Sequence, residues 1–245
     1  MTMQYLNIPH IIYMILMPVS VIISFVIFRN KSEKTQRIYL YTLCFINIGL
    51  FFIYKADKAI NHPDMFDIWA DLPLQLCNMN LYLMPIALKT KNQTLYAYLV
   101  FVSLTAAALG IFSFDLAYVG RSPFDIAVLG YFIDHIIIVV VAMCLVLFGY
   151  YKPTKYENVI VSMFIMFGFA MTMHSINVIF RATGICETAN YFISYGQAGN
   201  FGTDILMKII PVPLLYMIPT ACILTVSSLV IVALYNKFVT NKKHK

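Results

Sequence analysis

The sequence predicts an all-α, polytopic membrane protein, a single bundle of seven transmembrane helices formed by the whole 245-residue chain. Three observations predict it. First, 61% of the residues are hydrophobic and only 11% are charged, where a soluble domain carries about 25% charge. The 28 charged residues (17 Lys and Arg, 11 Asp and Glu) cannot coat a globule of this size, which excludes a water-soluble enzyme. Disorder is excluded as well, since disordered chains have the opposite balance. Second, the charges are clustered and leave apolar runs near the ~20 residues a helix needs to cross a bilayer. Third, these runs are continuously apolar, whereas barrel strands alternate in polarity over about ten residues.

The elements follow in order. Ile8 to Phe28 lacks a basic leader and is followed by Arg29-Asn30-Lys31 in place of a small-residue cleavage site, so it reads as a retained helix. Ile38 to Tyr54 is short. Leu72 to Leu88 is also short, and Pro73 near its start weakens the helical hydrogen-bond ladder and can open it. Leu95 to Phe114 is the fourth run. Ile126 to Tyr150, the fifth, holds Asp134, the one charged residue inside any of the seven. Val159 to Phe180 and the long Ile209 to Tyr235 complete the set.

Orientation follows from the Lys and Arg residues of the loops. Twelve lie on the side of the first, third and fifth connections and the C-terminal tail, including Arg29, Lys31, Lys34, Arg37, Lys242, Lys243 and Lys245; five lie on the other. This places the N-terminus outside and the C-terminus in the cytoplasm. The net charge of +6 is thereby an inner-face property suited to anionic lipid headgroups, not to nucleic acid. The short loops and compact tail suit a bacterial plasma membrane. Two outer connections are long. Lys55 to Asp71 places Asp64, Asp67 and Asp71 around Phe66, Ile68 and Trp69, the pattern of a short interfacial helix. Arg181 to Lys208 is rich in Gly, Asn and Tyr and reads either as a cover over an outer cavity or as a linker.

Polar groups at membrane depth are costly and face a bundle interior or a watery cavity. At ~1.5 Å of rise per residue, Cys77 lies roughly 8 Å below the outer boundary, His135 about 14 Å and His174 about 9 Å. All three therefore fall in the outer half. Asn80 follows Cys77 on one helix face. Tyr131 stands one turn before His135 and can hold its ring by a hydrogen bond, whereas Asp134 points a third of a turn away and reads as a poor orienter. His174, Asn177 and Arg181 form a polar stripe leading outward. The plain alternatives are packing for a membrane Cys, the reading taken for Cys44, Cys144 and Cys222, and interhelical hydrogen bonding for a membrane His. Cys186 lies in an outer loop, free or oxidised. No pair of Cys, His or Asp stands at ligand spacing, so neither metal nor cofactor is expected. Chemically, Cys77 can attack a lipid ester with His135 as its base, forming a thioester that a second lipid hydroxyl or water resolves. Asn80, Tyr131, His174, Asn177 and Arg181 are then the candidate substrate-binding residues.

One stretch points further. Leu72-Pro73-Leu74-Gln75-Leu76-Cys77, with His135, Asn177, Asn190-Tyr191 and Pro211-Val212-Pro213-Leu214-Leu215-Tyr216, resembles the YwaF-like family of integral membrane proteins. That family includes the transmembrane protein 164 acyltransferases of animals. The resemblance covers residues 72 to 216. It implies a multi-helix membrane fold and, by analogy with the animal members, acyl transfer between phospholipids. It also implies that the cysteine of the Pro-Leu-x-x-Cys motif and a downstream histidine, here Cys77 and His135, are the functional pair. Two positions depart from the pattern: Phe114-Asp115 where members commonly have Pro-Asp, and Val212-Pro213 where Trp-Pro is frequent. Membrane lipids are the expected environment and substrate. The competing expectation is a transporter, receptor or structural component with an outward polar cavity.

Overall fold

The computed structural model describes residues 2–61, 63, 66–195 and 201–240. Asp64, Lys242, Lys243 and Lys245 fall outside them. The described residues are helices and connecting turns, without strands. In chain order the elements are α1 (Ile8–Phe28), α2 (Glu33–Asn61), α3 (Asn80–Thr90), α4 (Gln93–Tyr98), a π-helical turn (Leu99–Ser103), α5 (Leu104–Phe112), α6 (Ile126–Leu147), α7 (Tyr156–Ala182), α8 (Phe201–Ile209) and α9 (Ile218–Tyr235). Six runs have the length and apolarity to cross a membrane: α1, α2, Gln93–Phe112, α6, α7 and Leu215–Val239.

Six of the seven predicted segments are thereby long helices, and their ends differ from the apolar runs for local reasons. α2 extends beyond both ends of its run because charged residues stay helical while their heads reach water. Asn92 caps α4, accepting from Thr94 N (2.8 Å) and Leu95 N (3.2 Å). Gly149, at φ +80°, turns the chain after α6. The seventh run is divided: α8 ends before Pro211 and Pro213, which have no N–H to donate, and the crossing helix restarts at Leu215.

The third segment behaves differently. Asp71 is bound by Lys58 Nζ (2.7 Å) and Lys55 Nζ at the far end of α2. Twenty residues on, Lys91 Nζ lies 3.5 Å from Glu33, and Arg37 Nη1 donates to Leu88 O (3.1 Å) at the near end. The segment therefore runs the length of α2. Only its second half is helical, however. α3 has 11 residues, about 16 Å against a hydrocarbon core of roughly 30 Å. The first half, 72–79, is a series of turns. Irregular backbone at this depth persists only where protein or a cavity satisfies its polar groups. Asn80 does part of that work: its Nδ2 donates to Cys77 O (3.0 Å) and Leu76 O (3.3 Å).

α6 is the central helix, with 67% of its most apolar window buried against 17% for α1. α1, α2 and α5 pack around it. The N-terminus joins the corner between α5 and α6, Met3 N donating to Arg121 O (2.7 Å) and Gly120 N to Met3 O (2.8 Å). His10, fully buried, spends both ring nitrogens on backbone, Nδ1 accepting from Leu6 N (3.0 Å) and Nε2 donating to Ile111 O (2.8 Å). Residues 67–71 make a single hydrogen-bonded turn, Asp71 N to Asp67 O (2.8 Å), where an interfacial helix was expected. Asp67 diverts the chain by accepting from Trp69 N (2.8 Å) and Ala70 N (3.1 Å) with its own carboxylate. All five cysteines are free thiols; Cys186 is buried, its Sγ 3.6 Å from Asp67 Oδ2.

Candidate functional site

α6 fixes the imidazole of His135. Its Nδ1 lies 2.7 Å from the carbonyl oxygen of Tyr131, one turn earlier. A carbonyl only accepts, so the proton of the neutral ring sits on Nδ1 and Nε2 carries the lone pair. Tyr131 holds the ring by a hydrogen bond, as expected, through its carbonyl, and its ring lies at a tilt 4.2 Å from the imidazole; its hydroxyl donates to Gly110 O (2.8 Å). Asp134 Oδ2 reaches to 3.4 Å of His135 Nδ1, closer than adjacency in sequence suggested. Gly110 of α5 leaves room for all this. A Cβ there would stand 2.6 Å from His135 Cδ2 and 2.7 Å from Nε2.

Cys77 belongs to the irregular half of the third segment, three residues before α3. It is partly buried. Among the described residues its thiol makes no hydrogen bond. Asp134 and Tyr131 lie close enough for charge on one to be felt at the other. Tyr54 of α2, beside Asn78, and Tyr118 share the same surroundings. Residues of α2, the turns 72–79, the α5–α6 corner and α6 thus meet in one region, the candidate crevice. It gathers Cys77, Tyr131 and His135 around Asp134. Asn80, expected on the same helix face as Cys77, instead lies behind it and holds the Cys77 carbonyl.

His174, Asn177 and Arg181 have another use. Asn177, fully buried on α7, donates from Nδ2 to Tyr191 O (2.8 Å) and Ser194 Oγ (2.8 Å), and its Oδ1 accepts from Tyr191 N (2.9 Å). His174 Nδ1 lies 3.0 Å from Ser194 Oγ. Arg181 Nε donates to Ala189 O (2.7 Å), and its guanidinium sits 4.3 Å from the centre of the Tyr195 ring. Together they clamp residues 189–195 against α7. The clamped loop in turn supports the turns of the third segment from the side away from α6. Gln75 Nε2 donates to Asn190 O (3.1 Å), and Leu72, Leu74, Leu76 and Met79 pack with Tyr191 and Phe192. Tyr191 and Tyr216 close it with hydroxyl bonds to Trp69 O and Ile193 O.

The residues of the Asn190-Tyr191 and Pro211–Tyr216 motifs therefore surround the interrupted segment that carries Cys77. The sequence profile of the TMEM164 family matches residues 5–235, nearly the whole chain and well beyond the stretch that carried the resemblance. The chain belongs to the TMEM164 family. Comparison with curated proteins and with solved structures gave no match.

In this TMEM164-family protein two carboxylates flank the crevice. Burial alone would push Asp71 up, but the hydrogen bonds from Lys55 and Lys58 hold it below the usual carboxylate range. Burial pushes Asp115 up to about 6, against the opposing hydrogen bond from Ala117 N and with a smaller contribution from Asp204 of α8. Sequence reasoning missed Asn47, Tyr54, Gly110 and Tyr118. Asn47 left a signal, as a lone amide inside the second apolar run. Gly110 left none, because its importance lies in what stands opposite it.

Proposed function

We propose that this protein transfers acyl groups between membrane phospholipids through a thioester on Cys77, in a bacterial-type plasma membrane with the crevice facing the outer leaflet. What supports this reading is that a hydrogen-bond-free thiol and an imidazole with its lone pair on Nε2 both lie near Asp134. In the first half-reaction His135 Nε2 takes the thiol proton and the sulfur pair attacks the ester carbonyl carbon. The tetrahedral intermediate then expels the lysolipid alkoxide, which leaves with the proton from Nε2, and a thioester remains. In the second half, the hydroxyl of another lysolipid gives its proton to Nε2 and attacks the thioester. Collapse returns the proton to sulfur. General-base assistance of this kind contributes about 10²–10⁴-fold. Tyr131 orients the base, and Asn80 holds the backbone at the nucleophile. His174, Asn177 and Arg181, through the loop they clamp, shape the wall behind Cys77 and are not themselves substrate ligands.

The test is acyl exchange in phosphatidylcholine vesicles containing the purified protein and an isotopically labelled lysophospholipid. Wild type is expected to move label into diacyl lipid; Cys77→Ala abolishes exchange and His135→Ala reduces it by at least about 10². Exchange unchanged in both variants would overturn the reading. Release of free fatty acid without acylation of the acceptor would assign hydrolysis, with the same two residues. A transport reading draws on the break in the third segment, a device transporters use at membrane midplanes, yet it gives the thiol and the fixed imidazole no task.

A further inference from the structure

Asp134 is unexplained by the proton traffic just described. A carboxylate at membrane depth is expensive unless a partner meets it, and among the described residues no lysine or arginine does. Among the groups around it, His135 Nδ1 lies 3.4 Å from Oδ2, and Asn47 reaches it from α2. Asn47 is fully buried, and neither end of its amide closes a well-formed hydrogen bond. A pair kept only to join two helices would be fully bonded. Here one side of the arrangement is fixed, Nδ1–H on Tyr131 O at 2.7 Å, and the other is left open.

We propose that Asp134, supported by Asn47, is a positioning and charge-balancing residue for His135. The inference rests on the reading of His135 as the base of Cys77. When Nε2 takes the thiol proton, the imidazole becomes a cation with N–H on both nitrogens, while the sulfur keeps the electron pair. Tyr131 O accepts from Nδ1–H in both states and cannot balance the new charge. The Asp134 carboxylate, beside Nδ1, can, and it repays its own burial only while the ring is positive. The same logic supports the imidazolium in other nucleophile–histidine–carboxylate systems. A carboxylate near a lone thiol does the reverse, since it opposes the thiolate. Asp134 therefore helps Cys77 only through His135, and that dependence is measurable.

The groups facing Asp134 are Asn47 and Tyr54 of α2, Cys77 of the third segment, Tyr118 of the α5–α6 corner, and Tyr131 and His135 of α6 itself. The experiment measures, by mass spectrometry at Cys77, the rate of alkylation by an alkyl chloroacetamide across pH 5 to 10. The protein is the full chain in phosphatidylcholine vesicles, its fold checked by circular dichroism and gel filtration. Asp134→Asn is expected to slow labelling at neutral pH about tenfold, one unit of differential protonation, and to move the inflection upward. Asp134→Glu recovers part of the rate, and Asn47→Ala shows a smaller loss of the same kind. In a His135→Ala background, Asp134→Asn changes nothing or speeds labelling, because only the opposing effect on the thiolate remains. Equal slowing by Asp134→Asn in both backgrounds, or none in either, overturns the inference. Wild-type labelling that is unaffected by His135→Ala overturns the base assignment itself and the inference with it, so the two failures are distinguishable.

Discussion

Gly110 makes the tightest demand of any single residue on the candidate site. Its missing Cβ leaves the space that the His135 ring fills, and an added methyl would lie 2.6 Å from Cδ2, well inside contact distance. Either the ring turns or α5 moves away from α6. Overpacking of this kind costs about 1–3 kcal/mol. Gly110→Ala is therefore expected to lower the melting temperature and to cut Cys77 alkylation at least about tenfold, a 1.4 kcal/mol equivalent. Gly168→Ala on α7, where nothing lies within 4 Å of the new methyl, is the matched control and should leave both unchanged. A Gly110→Ala protein with wild-type alkylation would show that the ring does not need the place it occupies. At this scale the sequence was partly legible. Cys77 and His135 announced themselves as polar groups in the outer half of the membrane, and each lies near Asp134. His174, in the same half, meets Ser194 of the loop 189–195 instead. Spacing along a helix sets height in the membrane; it says nothing about direction around the bundle axis.

Among the elements, the third segment departs furthest from its apolar pattern. Leu72, Leu74 and Leu76 are as apolar as any helix residue, so hydropathy cannot tell a crossing helix from turns packed inside a bundle. Pro73 was the one local sign. What permits the break is distant in sequence: the loop 189–195, clamped by Asn177 and Arg181, supplies the Asn190 carbonyl that Gln75 binds. A second element-scale consequence concerns the α5–α6 corner. Asp115 accepts from Ala117 N (2.8 Å), and burial raises its pKa to about 6 from an ordinary 3.8. A carboxyl raised on folding binds its proton more tightly in the native state, so its contribution favours folding below pH 4 and is lost as pH rises to about 6. Asp115→Asn keeps a capping oxygen and removes the titration. Thermal melts between pH 4 and 7 should therefore show a smaller loss of stability with rising pH for Asp115→Asn than for wild type. Identical slopes would mean that Asp115 is hydrated and ordinary.

For the whole molecule, the scarcity of charge that defined the membrane class also locates the chemistry. With 28 charged residues in 245, almost every one is needed at a loop or helix end, and Asp134 is the exception buried in the most central helix. The fold uses that helix as its axis and wraps α1, α2 and α5 around it, with Cys77 in the irregular half of the third segment. The family assignment and the apolar helices agree on a multi-pass membrane protein. The proposed chemistry adds that Cys77 meets a lipid ester. The most direct test is the intact mass of the purified protein after brief incubation with phosphatidylcholine bearing one labelled acyl chain. The account predicts a single acyl adduct that maps to Cys77, is released by neutral hydroxylamine as a thioester is, fades when lysophospholipid is added, and is absent in Cys77→Ala. Acyl exchange without any such adduct, or an adduct that persists in Cys77→Ala, would contradict it.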